Sequence, residues 1–199
     1  MDDWVVKAMQ RWPNVPALFG WLGLDRRGRW LIKGEPITHP RIVATFNRNY
    51  GVEEHGRWYF QNGPQRGYIE LAYAPFVLRR HGDGFITHTD LNVERPSQLV
   101  LDEDGTLSIS TEHGLGEIAG ADLDWVLERL RLDERPIDED ALQALLDLPS
   151  GSETNAIVAI GRVDVHVVRM DAVDLPDAFG FVRAPEPRDG EKAGSRAPD

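Results

Sequence analysis

The sequence predicts an α+β protein made of two related β-rich units, each a hairpin followed by a helix and further strands. Three observations predict it. Short runs of apolar, aromatic and β-branched residues recur between turns that carry Gly, Pro or Asp. Other segments, around Val5, Ile42, Val126 and Leu142, space their apolar residues as a helix does. One turn pattern occurs twice, as Leu24-Asp25-Arg26-Arg27-Gly28 and, 77 positions later, as Leu101-Asp102-Glu103-Asp104-Gly105.

In chain order, Val5, Val6, Met9 and Trp12 predict a short amphipathic helix after Asp3, ended by Pro13 and Pro16. Residues 18–25 and 29–33 flank Arg26-Arg27-Gly28 as strand, turn and strand. Gly34-Glu35-Pro36 breaks the second strand. Thr38 reads as the cap of a helix with Pro40 in its first turn, Ile42, Val43, Phe46 and Tyr50 on one face, and Gly51 closing it. A central strand pair follows at 57–61 and 66–73, and Pro75 bends a continuation through 76–80. Residues 81–84 turn the chain into a strand at 85–88, and 92–97 is a polar connector.

The pattern then returns. Residues 99–102 and 106–110 form the second hairpin. Asp122 caps a helix through Leu123, Val126, Leu127 and Leu130, and residues 138–148 form another with Leu142, Leu145 and Leu146 on one face. Residues 150–152 read as a flexible loop before a last strand pair at 157–160 and 163–170. From Ala184 onward Pro, Gly and charged residues show no periodicity, which predicts a mobile tail. The expected division is a unit over 1–96, a second over 97–183, and a tail over 184–199.

Composition narrows the function. The 199 residues hold no cysteine, which excludes disulfides, thiolate metal sites and cysteine nucleophiles and fits a reducing, cytoplasmic setting. No run approaches the roughly 20 apolar residues of a membrane span. A formal net charge of −11 disfavours polymeric nucleic acid, though a local basic pocket still suits a small anion.

Gly28 to Ile37, a following helix, Gly56-Arg57-Trp58-Tyr59-Phe60 and Ala74-Pro75-Phe76-Val77 together resemble an uncharacterised bacterial family, domain of unknown function 1285. The resemblance covers about Leu24 to Arg80. It implies two domains from a duplication, the second loosely like a pleckstrin-homology barrel. It also implies a nucleotide-like ligand at the domain interface and a role in signal transduction. Gln61-Asn62-Gly63-Pro64-Gln65-Arg66 departs from the more apolar run of that family.

That same departure is the candidate site. Arg66 offers a fork of donors for phosphate or carboxylate. Gln61, Asn62 and Gln65 can donate and accept, and Trp58, Tyr59 and Phe60 offer stacking faces. His88 completes the candidate ligand-binding set of Trp58, Phe60, Gln61, Asn62, Gln65 and Arg66. The competing reading is a plain hairpin turn at Asn62-Gly63 with the amides in water and the rings in the core. The pairs His81/Asp83, His88/Asp90 and Asp164/His166 are too few to hold a metal unless they converge, as a metal hydrolase using His88, Asp90 and His166 would require. No nucleophile elbow or phosphate loop stands in the sequence, and Gly114–Gly120 lacks the Lys-Ser/Thr that a phosphate loop needs. The expectation is a non-enzymatic sensing or adaptor module, without cofactor, that binds a small anionic or nucleotide-like ligand between its two units. The alternative is a protein-interaction module docking a partner along Phe179-Gly180-Phe181-Val182 by strand addition.

Overall fold

The computed structural model describes residues 3–11, 15–191 and 194. The first helix, α1, spans Asp3–Arg11; Trp12, and the side chains of Val5 and Met9, lie outside the described residues. The chain divides into two compact units, one of Met1–Pro75 with Gly180–Asp199 and one of Phe76–Phe179. No helix is long and apolar enough to cross a membrane, among the described residues.

The first unit continues with β1 (Leu18–Leu24), β2 (Trp30–Ile32), β3 (Glu35–Pro36), α2 (Pro40–Arg48), β4 (Tyr50–Val52), β5 (Trp58–Asn62) and β6 (Gln65–Leu71). Its sheet runs β3-β2-β1-β6-β5-β4, with β1 and β6 parallel and the other neighbours antiparallel. Strand alternation puts Trp58, Phe60 and Asn62 on one face and Tyr59 and Gln61 on the other. An aromatic layer joins α2 to the first of these faces. Phe46 stacks on Phe60 with centroids 3.8 Å apart, and Trp30 lies 5.5 Å from Phe46 and 4.8 Å from Tyr50. Trp30 is 1% exposed, and its indole N–H donates to Asn47 Oδ1 at 2.8 Å.

The ends of α2 differ from the sequence reading. His39, not Thr38, holds the N-cap position, with no side-chain cap, and Pro40 opens the helix, where its fixed φ suits the first turn and its missing N–H leaves one donor fewer to satisfy. Asn49, not Gly51, ends it. That residue is fully buried; its backbone N–H donates to the Thr45 and Phe46 carbonyls and its Nδ2 to the Thr45 carbonyl. Tyr50 is then drawn into β4 opposite Phe60, where its ring joins the aromatic layer and its hydroxyl donates to the Pro75 carbonyl at 2.9 Å.

The second unit holds β7 (Phe76–His81), β8 (Gly84–Thr87), β9 (Gln98–Leu101), β10 (Leu107–Thr111), β11 (Gly114–Ile118), α3 (Leu123–Leu127), β12 (Leu130–Leu132), β13 (Arg135–Pro136), α4 (Glu139–Leu146), β14 (Ser152–Ile160), β15 (Val163–Arg169) and α5 (Leu175–Phe179). Its sheet runs β13-β12-β14-β15-β9-β10-β11-β7-β8. Leu99, Val100 and Leu101 are buried in succession, as in a strand covered on both faces, and β9 runs parallel to β15.

Here too the sequence reading needs correction. Phe76–Arg80 does not continue the first sheet: β7 pairs in parallel with β11 and antiparallel with β8, both in the second. The boundary between units therefore falls at Pro75, where the sequence reading drew it after residue 96. Leu130 lies in β12 rather than in the preceding helix, and the Asp122 carboxylate accepts the Arg80 N–H at 2.9 Å instead of capping α3. Residues 150–152 are not wholly loop, since β14 begins at Ser152 and crosses a register shift between Glu153 and Ile157. Asp138 caps α4, its Oδ1 accepting the Ala141 N–H at 2.8 Å.

The two units are related. In both, the hairpin pairs Leu with the residue six positions on, Leu24 with Trp30 and Leu101 with Leu107. In both, the first hairpin strand then runs parallel to the second strand of a later hairpin, giving β2-β1-β6-β5 and β10-β9-β15-β14. The Leu24 carbonyl accepts from Ala72 N–H and the Leu101 carbonyl from Met170 N–H, each at 3.0 Å. A second, local likeness sits 100 positions apart, where Trp30–Ile37 and Leu130–Ile137 each make a two-strand turn that leads into a helix. Lys33 and Gly34, and Asp133 and Glu134, take positive φ there.

Candidate functional site

A pocket of about 440 Å³ opens between α2 and the first sheet. Its walls are Leu18 and Leu22 of β1, Ile32 of β2, Ile42 and Phe46 of α2 and Phe60 of β5; its polar groups are Arg41, Thr45, Asn62 and Gln65. Ile32 and Ile42 are 42% and 44% exposed, so this apolar surface stands open to solvent. Gly67 forms part of the floor, and a Cβ there would press on the Leu22 side chain. Two of its wall residues, Leu18 and Leu22, flank an irregularity in β1: the register against β6 shifts between them, and Gly20 takes φ 71.

Of the residues singled out from the sequence, Phe60, Asn62 and Gln65 line this pocket. Gln65 Nε2 donates to the Pro16 carbonyl at 3.3 Å, and Thr45 Oγ1 donates to the Arg41 carbonyl at 2.8 Å. Gly63, at φ 55, and Pro64 form the two-residue turn, so the hairpin turns one residue later than Asn62-Gly63. Trp58 packs at 4.8 Å on Tyr50 in the aromatic layer. Gln61 is turned inward, its Nε2 donating to the Gly63 carbonyl at 3.0 Å.

Arg66 pairs with Gln61 across the hairpin and so projects from the other face of the sheet. It lies 4.0 Å over the Tyr59 ring, donates to Gln61 Oε1 at 3.3 Å and sits 3.8 Å from Glu53. His88 belongs to the second unit. Its Nδ1 accepts the Val77 N–H at 3.2 Å, and its ring lies 5.7 Å from Phe76. Among the described residues, no three His, Asp or Glu side chains come together as metal ligands would.

The opposite face of the first sheet carries a charge cluster that the sequence did not suggest. Arg57, 5% exposed, donates to Glu53, to the Glu191 carboxylate at 2.8 Å, to the Glu186 carbonyl at 2.8 Å and to the Tyr68 hydroxyl at 3.0 Å. Arg188 Nη2 adds a second cation 3.4 Å from Glu53. Hydrogen bonds from Arg57 hold the Glu53 carboxyl below its ordinary range. Burial works to raise Glu191, but Arg57 and the Arg188 N–H outweigh it and lower that group as well. Burial pushes the Tyr68 hydroxyl up. Residues 184–191, read as mobile tail, are thus tied to the sheet through Glu186 and Glu191. The stretch proposed for strand addition is occupied in the same way. Phe181 is 4% exposed, Val182 N–H donates to the Gly56 carbonyl at 2.9 Å, and the Arg183 carbonyl accepts from Leu71 N–H at 2.8 Å.

Fold and pocket together define an α+β protein of two related β-rich units, the first with a helix-roofed, mostly apolar pocket. The family model described as "Protein of unknown function (DUF2946)" matches residues 1–186, and the chain belongs to that family. Among curated proteins, none matches it. A crystal structure of a DUF1285 family protein from Silicibacter pomeroyi DSS-3 is similar, with TM-score 0.51 and 16% identity over 84% of this chain and 96% of that one. A DUF1285 family protein from Shewanella baltica OS155 gives TM-score 0.41 and 12% identity over 52% of this chain and 87% of that one. The likeness read from the residues thus reappears in the structure as a shared fold with the Silicibacter protein.

Proposed function

We propose that this protein is a ligand-sensing module that binds a small anionic molecule in the pocket between α2 and the first sheet. The observation that carries the reading is the pocket itself, about 440 Å³, with an apolar interior and four polar side chains in its lining. That is the usual make-up of a small-molecule site. Its charge selects the sign. Across a chain with 33 acidic and 22 basic side chains, the described lining holds Arg41 and no acid. Arg41 pairs with no carboxylate among the described residues, so its charge is available to a ligand. The absence of cysteine and the resemblance noted above support a signalling role in the cytoplasm.

The test is a thermal-shift screen of small anions and matched neutral compounds, run on the full chain and on Ile42→Trp. Ile42 stands at the pocket wall and is half-exposed, so an indole there blocks the site without disturbing the core. A ligand at one hundred times its Kd should raise the melting temperature by about 5–10 °C. Ile42→Trp should abolish the shift. A shift that survives in Ile42→Trp, or a full set of compounds with none, would sink the proposal.

A further inference from the structure

We infer that the anion taken by this pocket is an aliphatic monocarboxylate, its chain against Leu18, Leu22, Ile32 and Ile42 and its carboxylate at Arg41. This rests on the reading of the pocket given above and narrows it to one chemical class. Three features choose that class over a nucleotide.

The first is the state of the aromatic rings. A nucleobase needs a free ring face, or a ring and a guanidinium facing one another. Phe46 and Phe60 are the aromatic residues of the described lining, and they are stacked on each other at 3.8 Å with planes 10° apart. Trp30 also packs against Phe46, with ring centroids 5.5 Å apart and planes tilted by 41°. The remaining wall is aliphatic.

The second is the number of cations. A nucleotide phosphate carries close to two negative charges, whereas the described lining offers one guanidinium. The Arg66 fork, which would have completed a phosphate clamp, lies over Tyr59 on the opposite face of the sheet.

The third is where the polar groups stand. Arg41 is exposed at the start of α2, and Asn62 is exposed where β5 meets the hairpin turn. Phe46, Phe60 and Gly67 are the buried part of the lining. A polar rim over an apolar floor matches a molecule with one charged end and a hydrocarbon body. Asn62, in the same lining, adds an amide that can donate to a carboxylate oxygen.

The experiment is a titration of the full chain with saturated carboxylates from butanoate to decanoate, their alcohols and AMP, followed by calorimetry below micelle formation. Affinity should rise about fourfold per added methylene until the chain outgrows the pocket. Each carboxylate should bind at least tenfold tighter than its alcohol. Arg41→Gln should remove that preference while keeping the dependence on chain length, and Arg41→Lys should keep both. Equal binding of acids and alcohols, or no dependence on length, overturns the inference. So does tighter binding of AMP. In each of these cases the pocket reading survives if Ile42→Trp abolishes the binding that is seen. If Ile42→Trp leaves carboxylate binding unchanged, both fall together.

Discussion

The Arg57 guanidinium donates to the Tyr68 hydroxyl at 3.0 Å, and that hydroxyl lies 3.1 Å from Glu53 and 3.2 Å from Glu191. One cation and one phenol thereby join a turn of the first unit to a residue 134 positions further along the chain. The arrangement closes the first unit upon its own C-terminal segment.

Acid should open this closure. Glu53 and Glu191 are both held below the ordinary glutamate value of 4.5 in the folded chain. A lowered folded value means that folding favours the ionised form. The stabilisation is therefore complete above about pH 4.5 and is lost as pH falls through the lowered values. Hydrogen exchange should show residues 182–191 losing protection on acidification before the aromatic layer does. Arg57→Met should produce the same loss at pH 7, since it removes the buried cation that bridges the two carboxylates. Unchanged protection of the Val182 amide in that variant would show that the cluster does not hold the segment.

Gly56 should be intolerant of any side chain. It takes φ 77, and a Cβ would overlap the Gly180 carbonyl and crowd Phe181. Gly56→Ala combines left-handed strain with overpacking, together about 3 kcal/mol. Urea denaturation should show the loss. Gly34→Ala is the control. It has a similar φ of 79 with nothing within 4 Å, so it should lose the strain portion alone.

Asp25 and Asp102 should matter unequally although they close the same turn. Asp25 Oδ1 accepts from the N–H groups of Arg27 and Arg29, and Asp102 Oδ1 from those of Asp104 and Thr106. Asp102 is 1% exposed, whereas Asp25 is reached by solvent. Alanine at either position strands two backbone donors. The cost should be about 1 kcal/mol at Asp25 and about 2–3 kcal/mol at Asp102, where water cannot replace the lost acceptor. Equal losses in urea denaturation would contradict this.

What could be read along the chain was local. Asp followed by Gly three positions later marks both hairpin turns, and the helical spacing of Ile42, Val43 and Phe46 marks α2, because a turn or a helix is decided within a few residues. The duplication was legible for the same reason, through the matched turns at Asp25 and Asp102. Tertiary structure decided the rest. Gly114 to Ile118 became a strand because β10 and β7 flank it, against the poor strand preference of its glycines. Tyr50 left the helix because a place in the aromatic layer was open to it. The polar hairpin was visible as a candidate site, but not that strand alternation would send Asn62 to the pocket and Arg66 to the opposite face. Nor could Arg41, Leu18 and Ile32 be grouped with it, since only the parallel pairing of β1 with β6 and the packing of α2 bring them to one place. Arg57 and Glu191 were as far from legible, because no local pattern links a buried guanidinium to a carboxylate more than a hundred residues away. Pairing between distant segments depends on the burial of the whole core, and no short window of sequence contains that information.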